Sequence, residues 1–380
     1  MRKSFLYSLG LVVATLVALG LVVLFSASEI KASMLHRDAL FFVKRQGLYV
    51  IAGVFAAFIF AVIDYRSWRD HWSLTAIPSM VLLVALLAVF LFPAINGSRR
   101  WIPLGIINFQ PAEFAKFMTV LVISVYLNKF ALQFDRFKEG AFFPACLIGI
   151  FALPVFFQPD FGSVMVIGGV GFMLIFMSGT KIKHLAPLVI LAIAVFAWRV
   201  MNTPNRMARL FAFTGITIEG AEDAADSASY QSDMSLVAIY RGGIFGRGLL
   251  KSMQKQSYLP EAWTDFILAV GAEELGLIFS VSVIVLFFIF LFLCIRIALA
   301  SDKLGQLIVM GMAFTIFFPA MFNIGVVCGA FPTKGMALPF FSYGGTHILA
   351  SFCAIGMIFS VGIHTLKDKH RAFVRKIVKN

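Results

Sequence analysis

The sequence predicts an all-α polytopic membrane protein of about ten transmembrane helices, with one long extracytoplasmic loop between the seventh and eighth. Three observations carry that expectation. The 380 residues are 60% hydrophobic and only 13% charged, with a mean hydropathy of +0.92, and a soluble chain this apolar could not cover its own surface. Windows of roughly 17–25 apolar residues, the length that crosses a bilayer, recur along the whole chain. Lysine and arginine are spread unevenly among the short connections between them.

The first window, 5–27, is too long for a signal-peptide core and lacks a small-residue cleavage site followed by a polar domain, so it reads as a retained span. Windows 47–63 and 73–92 follow, joined by a short link with Arg66 and Arg69. The fourth, 112–131, is introduced by "GSRRWIPLGIINFQPAEFAKF" (97–117). Pro111 suits the first helical turn, Glu113 then meets the positive helix end, and Lys116 lies three residues on. Glu113 and Lys116 read either as a neutralising pair between helices or as the charged wall of an external cavity. Windows 141–157 and 161–178 flank "FQPDFGS" (157–163), where Asp160 reads as a helix-start acid.

After the seventh window, 183–201, the pattern of short connections breaks. The loop 202–265 has a polar, acidic middle, "GITIEGAEDAADSASYQSD" (215–233), which is expected to be mobile. Its end, "MSLVAIYRGGIFGRGLLKSMQ" (234–254), has apolar residues at helical spacing and then glycines, and is expected to lie on or re-enter the membrane surface. Windows 266–295, 305–330 and 341–364 complete a single transmembrane domain of 1–380, closed by a basic tail at 365–380.

Orientation follows from charge. With the N-terminus inside, cytoplasmic segments hold 17 Lys/Arg against 7 in the short outside loops, which predicts a cytoplasmic-membrane protein with both termini cytoplasmic. The net charge of +13 is therefore anchoring to anionic lipid, and no nucleic acid partner is implied. Four cysteines without paired spacing and six scattered histidines suggest neither a disulfide frame nor a metal cluster.

The polar residues at the mouth ask for a reason. In "YLPEAWTDFILAVGAEELG" (258–276), acids enter a segment built for lipid, where an Asp at a helix centre costs about 2.5–3.5 kcal/mol. If a helix runs inward from about Pro260, Glu261 and Asp265 are i,i+4 neighbours near the outer interface. Glu273 then lies about 12 Å deeper, and it and Glu274 read as structural acids. Asp265 itself reads either as a solvated helix-end acid or as a functional group. "RGGIFGRGLLKSMQKQ" (241–256) puts Arg241, Arg247, Lys251 and Lys255 among four glycines. It lacks the ending of a Walker loop, and admits either a phosphate or a plain lipid headgroup. In "FPTKGMALPFFSYGGTHIL" (331–349), Pro332, Gly335 and Pro339 imply a tight turn whose one charge is Lys334.

Together, in this order, "GSRRWI…FQPAEFAK", "QPDFGS", "YLPEAWTDFILAVGAEELG" and "PTKGMALPFFSYGG" resemble the SEDS family (shape, elongation, division and sporulation), typified by FtsW and RodA. The resemblance covers essentially the whole chain. It implies a ten-span peptidoglycan glycosyltransferase that polymerises lipid II at the outer face of the cytoplasmic membrane, in cell division or cell-shape maintenance. The implied partners are a class B penicillin-binding protein and other divisome or elongasome membrane proteins. The family's catalytic aspartate falls on Asp265, and the lysine implicated in division-type members falls on Lys334. Gln254–Lys255 and the Pro-Thr-Lys-Gly turn resemble division-type members more than elongation-type ones. The chain departs from the family pattern at Trp263, usually His, at Ser257, often an acid, and at Met234, usually Gln.

The implied reaction needs a base for the attacking hydroxyl and positive charge for the departing pyrophosphate. Arg99, Arg100, Arg241, Arg247, Lys255 and Lys334 are the candidate cations, with a divalent ion, Mg or Mn, as the cofactor this chemistry would enlist. Glu113, Lys116 and Glu261 are the further candidates for contact with substrate. Two other readings of the same polar residues stay open: a flippase for the lipid-linked precursor, with Glu113, Lys116, Asp160 and Glu273 along its path, and a non-catalytic scaffold of the cell-wall machinery.

Overall fold

The computed structural model describes every residue except 1–2, 95–97, 106–107, 131–135, 204–206, 209, 211–212, 214–221, 256–258 and 380, and leaves the side chains of 36, 222–225, 228 and 372–379 undescribed. Among the described residues the regular structure is helical, apart from one short hairpin. Its helices are α1 (Lys3–His36), α2 (Phe41–Val62), α3 (Ser67–Asp70), α4 (Trp72–Ala88), α5 (Pro111–Lys129), α6 (Phe143–Phe157), α7 (Phe161–Met177), α8 (Ile182–Met201), α9 (Glu222–Gly242), α10 (Ile267–Ala298), α11 (Lys303–Val327) and α12 (Gly345–Lys379). The hairpin pairs β1 (Ile102–Pro103) antiparallel with β2 (Asn108–Phe109) just before α5.

Eight of these helices are long and apolar enough to cross a membrane. The two further expected spans are α7, which is 17 residues long, and α5, which carries Glu113 and Lys116 inside the bundle. Ten spans thus fall where the apolar windows lie, but their ends differ. The first runs on to His36 and the last to Lys379, because Ser, Glu and Lys are tolerated in a helix that has already left the lipid. The segment expected to be a mobile acidic loop is helical from Glu222, and Ser235 Oγ of α9 donates to the Val327 carbonyl at the end of α11 (2.8 Å).

α12 is the most enclosed span, with 83% of its apolar window buried, whereas α8, at 6%, faces outward along nearly its whole length. α5 packs within the bundle and buries Glu113 and Lys116 along with most of its apolar residues. At one end of the bundle, Tyr65 donates to Asp302 (2.8 Å), Arg66 reaches Asp368 (2.7 Å), and Asp302 caps α11 through the Gly305 amide. Burial and the neighbouring Asp302 push the Tyr65 phenol above its usual range. That phenol stays a donor, tying the link after α2 to the start of α11.

The opposite end holds the candidate site, and a broken helix shapes it. α10 is interrupted at Gly276 (φ 81°, ψ −174°), a conformation open essentially only to glycine. The segment after α9 folds back into this break. Leu277 and Ile278 donate to the Gly243 and Ile244 carbonyls (2.9 and 3.3 Å), while Arg247 and Gly248 donate to those of Glu273 and Glu274 (3.0 and 2.9 Å). Backbone groups freed by the kink are thereby satisfied within protein, which is the condition for irregular chain at membrane depth. From Gly276 to the end of α10 the rise is about 33 Å, one bilayer thickness. The re-entrant segment expected near 234–254 is therefore this hook, set at the membrane's edge.

Candidate active site

Asp265 lies in a run of turns, not in a helix. Regular helix begins at Ile267, and Glu261 adopts a left-handed φ of 53° with its carbonyl accepting from Thr264 N and Phe266 N. The expected i,i+4 pairing of Glu261 with Asp265 on one helix face is therefore corrected: Pro260 starts a turn, and the chain tightens there before it can wind. Glu261 is exposed and its carboxylate accepts from Thr264 Oγ1 (2.9 Å).

What holds this turn is a rack of three successive carbonyls. Trp263 O accepts from Tyr343 N (3.0 Å), Thr264 O from Ser342 Oγ (2.6 Å), and Asp265 O from Asn323 Nδ2 (2.7 Å). Ser342 is fixed in turn: its hydroxyl accepts from Leu338 N (2.7 Å) and its carbonyl from the buried Gln46 of α2 (2.9 Å). Each donor comes from the 338–343 turn or from α11, so buried chain on two sides locks the turn. Trp263 adds an aromatic anchor, with the Lys31 ammonium 3.8 Å from its ring centre and Phe42 stacked on it at 6.4 Å. Burial raises the phenol of Tyr343, which packs edge-on against Phe42, above its usual range.

The turn at 332–338 delivers the second expected residue. Gly335 lies so close to Asp265 that a β-carbon there would sit 2.5 Å from the carboxylate Oδ2. Next to it, the Lys334 ammonium is 3.4 Å from Met165 Sδ and 5.9 Å from the ring centres of Phe161 and Phe196. Lys334 therefore reaches from the Asp265 turn towards α7 and α8.

Glu113 and Lys116 form a buried pair at 2.7 Å, and the second Glu113 oxygen meets His347 Nδ1 at 2.8 Å. His347 is one of six histidines scattered in the sequence, and no motif marks it. Its signal was positional, since it is the third residue of α12 as Glu113 is the third of α5. These three side chains line a small cavity with Thr315 and Ser351, and His347 Nε2 has no hydrogen-bond partner among the described residues. Asp160 caps α7 by accepting from Ser163 N and Oγ, and also takes Gln110 Nε2 (2.9 Å).

The remaining cations divide. Arg99 and Arg100 donate to the Phe90 and Pro159 carbonyls (2.8 and 2.6 Å). Exposed Arg241 and Arg247 converge on Met253 Sδ (3.9 and 3.7 Å) at the hook. Lys255 is drawn away from the mouth: its ammonium is buried on Glu274 Oε1 (3.0 Å) and Ser26 Oγ (2.8 Å). Glu273 beside it accepts from Ser252 Oγ and from the Met253 and Gln254 amides. Both acids hold the hook, as their structural reading anticipated, and Lys255 joins them because the hook folds back onto α10. Among the described residues no group of three His, Cys, Asp or Glu is placed to hold a metal. Ser257 lies outside the described residues.

Residues 7–367 match the family described as "Cell cycle protein", that of FtsW, RodA and SpoVE. The chain is 34% identical over 356 residues to a "Probable peptidoglycan glycosyltransferase FtsW" of Geobacter metallireducens, covering 92% of each chain. It is 36% identical to the stage V sporulation protein E of Bacillus subtilis, over 93% of this chain and 95% of that one. Among solved structures it superposes with TM-score 0.72 and 26% identity on a chain from work titled "Structural coordination of polymerization and crosslinking by a peptidoglycan synthase complex", covering 94% of this chain and 98% of that one. The rod shape determining protein RodA of Thermus thermophilus follows at TM-score 0.65 and 25% identity, covering 94% and 96%.

Proposed function

This chain belongs to the FtsW/RodA/SpoVE family, the SEDS proteins, and we propose that it polymerises lipid II with Asp265 as its general base. It is a multi-pass membrane peptidoglycan glycosyltransferase of cell-wall synthesis. The observation that carries the base assignment is the three-carbonyl rack, which fixes an acid at the mouth of the bundle beside a cationic turn.

In the proposed step the 4-hydroxyl of one sugar attacks the anomeric carbon of the next. The new C–O bond forms as the bond to the polyprenyl pyrophosphate breaks, the hydroxyl proton passes to the Asp265 carboxylate, and the electron pair leaves with the pyrophosphate. A positioned base of this kind contributes about 10²–10⁴-fold. Lys334 from the turn, and Arg241 and Arg247 from the hook, supply positive charge to the leaving group. Glu113 and Lys116 form the polar wall deeper in the mouth. A divalent cation, Mg or Mn, suits this mouth only if shared with the pyrophosphate, since such an ion needs just one or two protein carboxylates. Glu261 would provide one, and the ion would neutralise the leaving group.

The substrate has an apolar tail and a polar head, so its site must straddle a membrane interface. The lysine and arginine bias supports placing the mouth on the outer face of the cytoplasmic membrane, with both termini inside. A class B penicillin-binding protein is the proposed partner, in keeping with a structural relative whose title couples polymerisation to crosslinking. The test is glycan polymerisation by the purified chain with its partner, resolved on gels. Asp265→Asn should reach the membrane at normal level and lose about two to four decades of rate. Near wild-type glycan synthesis by that variant would remove Asp265 from the reaction.

A further inference from the structure

A general base acts only if its carboxylate is held in place, and Asp265 lies in a turn outside any helix or strand, so side chains from elsewhere must hold it. Building on the reading of Asp265 as the base, on which it rests, we propose that Asn323 and Gly335 are positioning residues that aim the Asp265 carboxylate and keep the Lys334 turn in register with it.

Asn323 is 1% exposed on α11, among apolar neighbours. A buried amide in that setting is costly unless its hydrogen bonds are used. Both protons of its Nδ2 are used, one going to the Asp265 carbonyl and one to the Met336 carbonyl, each at 2.7 Å. Its Oδ1 has no partner among the described residues, so the amino group is what the site retains the residue for. One amino group thus joins the turn that carries the base to the turn that carries Lys334. Few side chains offer the same connection. Ser and Thr have one proton to give, Asp as a carboxylate has none, and Gln places its amide one methylene further out.

Gly335 acts from the other side. It is not in the left-handed region, so backbone strain does not call for a glycine there. Space does. A β-carbon would lie 2.5 Å from Asp265 Oδ2 and 3.2 Å from Cγ. Because Gly335 is exposed, an added methyl would push aside the end of the Asp265 side chain and leave the core alone. Asn323 therefore fixes the main chain of Asp265, and Gly335 keeps open the space its carboxylate occupies. Neither needs to touch substrate, so a fault in either should appear in turnover rather than in binding. A misplacement of about 1 Å can cost roughly 10²-fold.

The experiment uses the full-length chain in proteoliposomes containing lipid II, and measures kcat, KM and the thermal midpoint. Gly335→Ala should lower kcat about 10–100-fold, with KM within about twofold of wild type and the midpoint unchanged. Asn323→Leu should lower kcat in the same way, and Asn323→Gln, which keeps the donor, should recover part of it. A wild-type kcat for Gly335→Ala, or a loss carried by KM alone, overturns the proposal. Should Asn323→Leu fail to reach the membrane, Gly335→Ala decides alone. Asp265→Asn is assayed alongside. If it is inactive while Gly335→Ala is fully active, the positioning inference fails and the base assignment stands; if it is active, the base assignment fails first.

Discussion

Lys255 offers a sharp test of whether a cation near the mouth serves substrate or fold. Its side chain is 2% exposed and that of its partner Glu274 is 1% exposed. Glu274 Oε1 accepts from the Lys255 ammonium, Ser26 Oγ and Ser252 N. Lys255→Met would leave this carboxylate buried without its counter-charge, next to the equally buried Glu273. Breaking a buried pair from one side costs about 3–5 kcal/mol, or a folded-to-unfolded ratio lower by roughly two to three and a half decades. Lys255→Met/Glu274→Gln removes both charges, and such neutral replacements are often close to harmless. The double variant should therefore recover most of the lost stability, and polymerisation should return with it. Thermal unfolding in detergent and gel-resolved glycan synthesis on the same preparations check both parts. A double variant as unstable as Lys255→Met would refute the charge argument. A stable but inactive one would show that Lys255 meets substrate after all.

Lys334→Ala should lower turnover at least about tenfold, while Lys334→Arg, which keeps the charge, retains part of it; the polymerisation assay decides, and an unaffected alanine variant would make this lysine ornamental. For orientation, the four native cysteines are replaced first, since Cys146 and Cys328 are exposed. Ser227→Cys should then react with an impermeant thiol reagent in intact cells, and Asp70→Cys should react only after lysis. The reverse pattern would turn the proposed topology over.

The membrane class, the ten spans and the segments that build the mouth were legible in the sequence, because lipid imposes a minimum apolar length and each polar exception stands out against it. Asp160 as a helix-start acid and the Glu113–Lys116 pair were also legible, since both depend on contacts within three residues. The helix Glu222–Gly242 was not legible, because the composition of its acidic first half favours solvent; the contact that joins it to the bundle, Ser235 to the end of α11, is made 92 positions away. Glu261 and Asp265 misled in the opposite sense: four-residue spacing suggested a helix that tight turns replace.

The sequence by itself determined which chemistry is present: an acid, Asp265, and six candidate cations, two lysines and four arginines, in the segments that flank an apolar bundle. Only the tertiary structure decided which of them face the mouth. Lys255 was taken into a clasp with Glu274 and Ser26, residues 19 and 229 positions away, and Glu113 gained His347 from 234 positions away. Asp265 was hung from donors on α11 and the 338–343 turn. The physical reason is the range of the interactions. Partition into lipid is scored residue by residue along the chain. A buried carboxylate or carbonyl instead takes whichever donor the packed helices bring to it, and its place in the sequence does not reveal that donor.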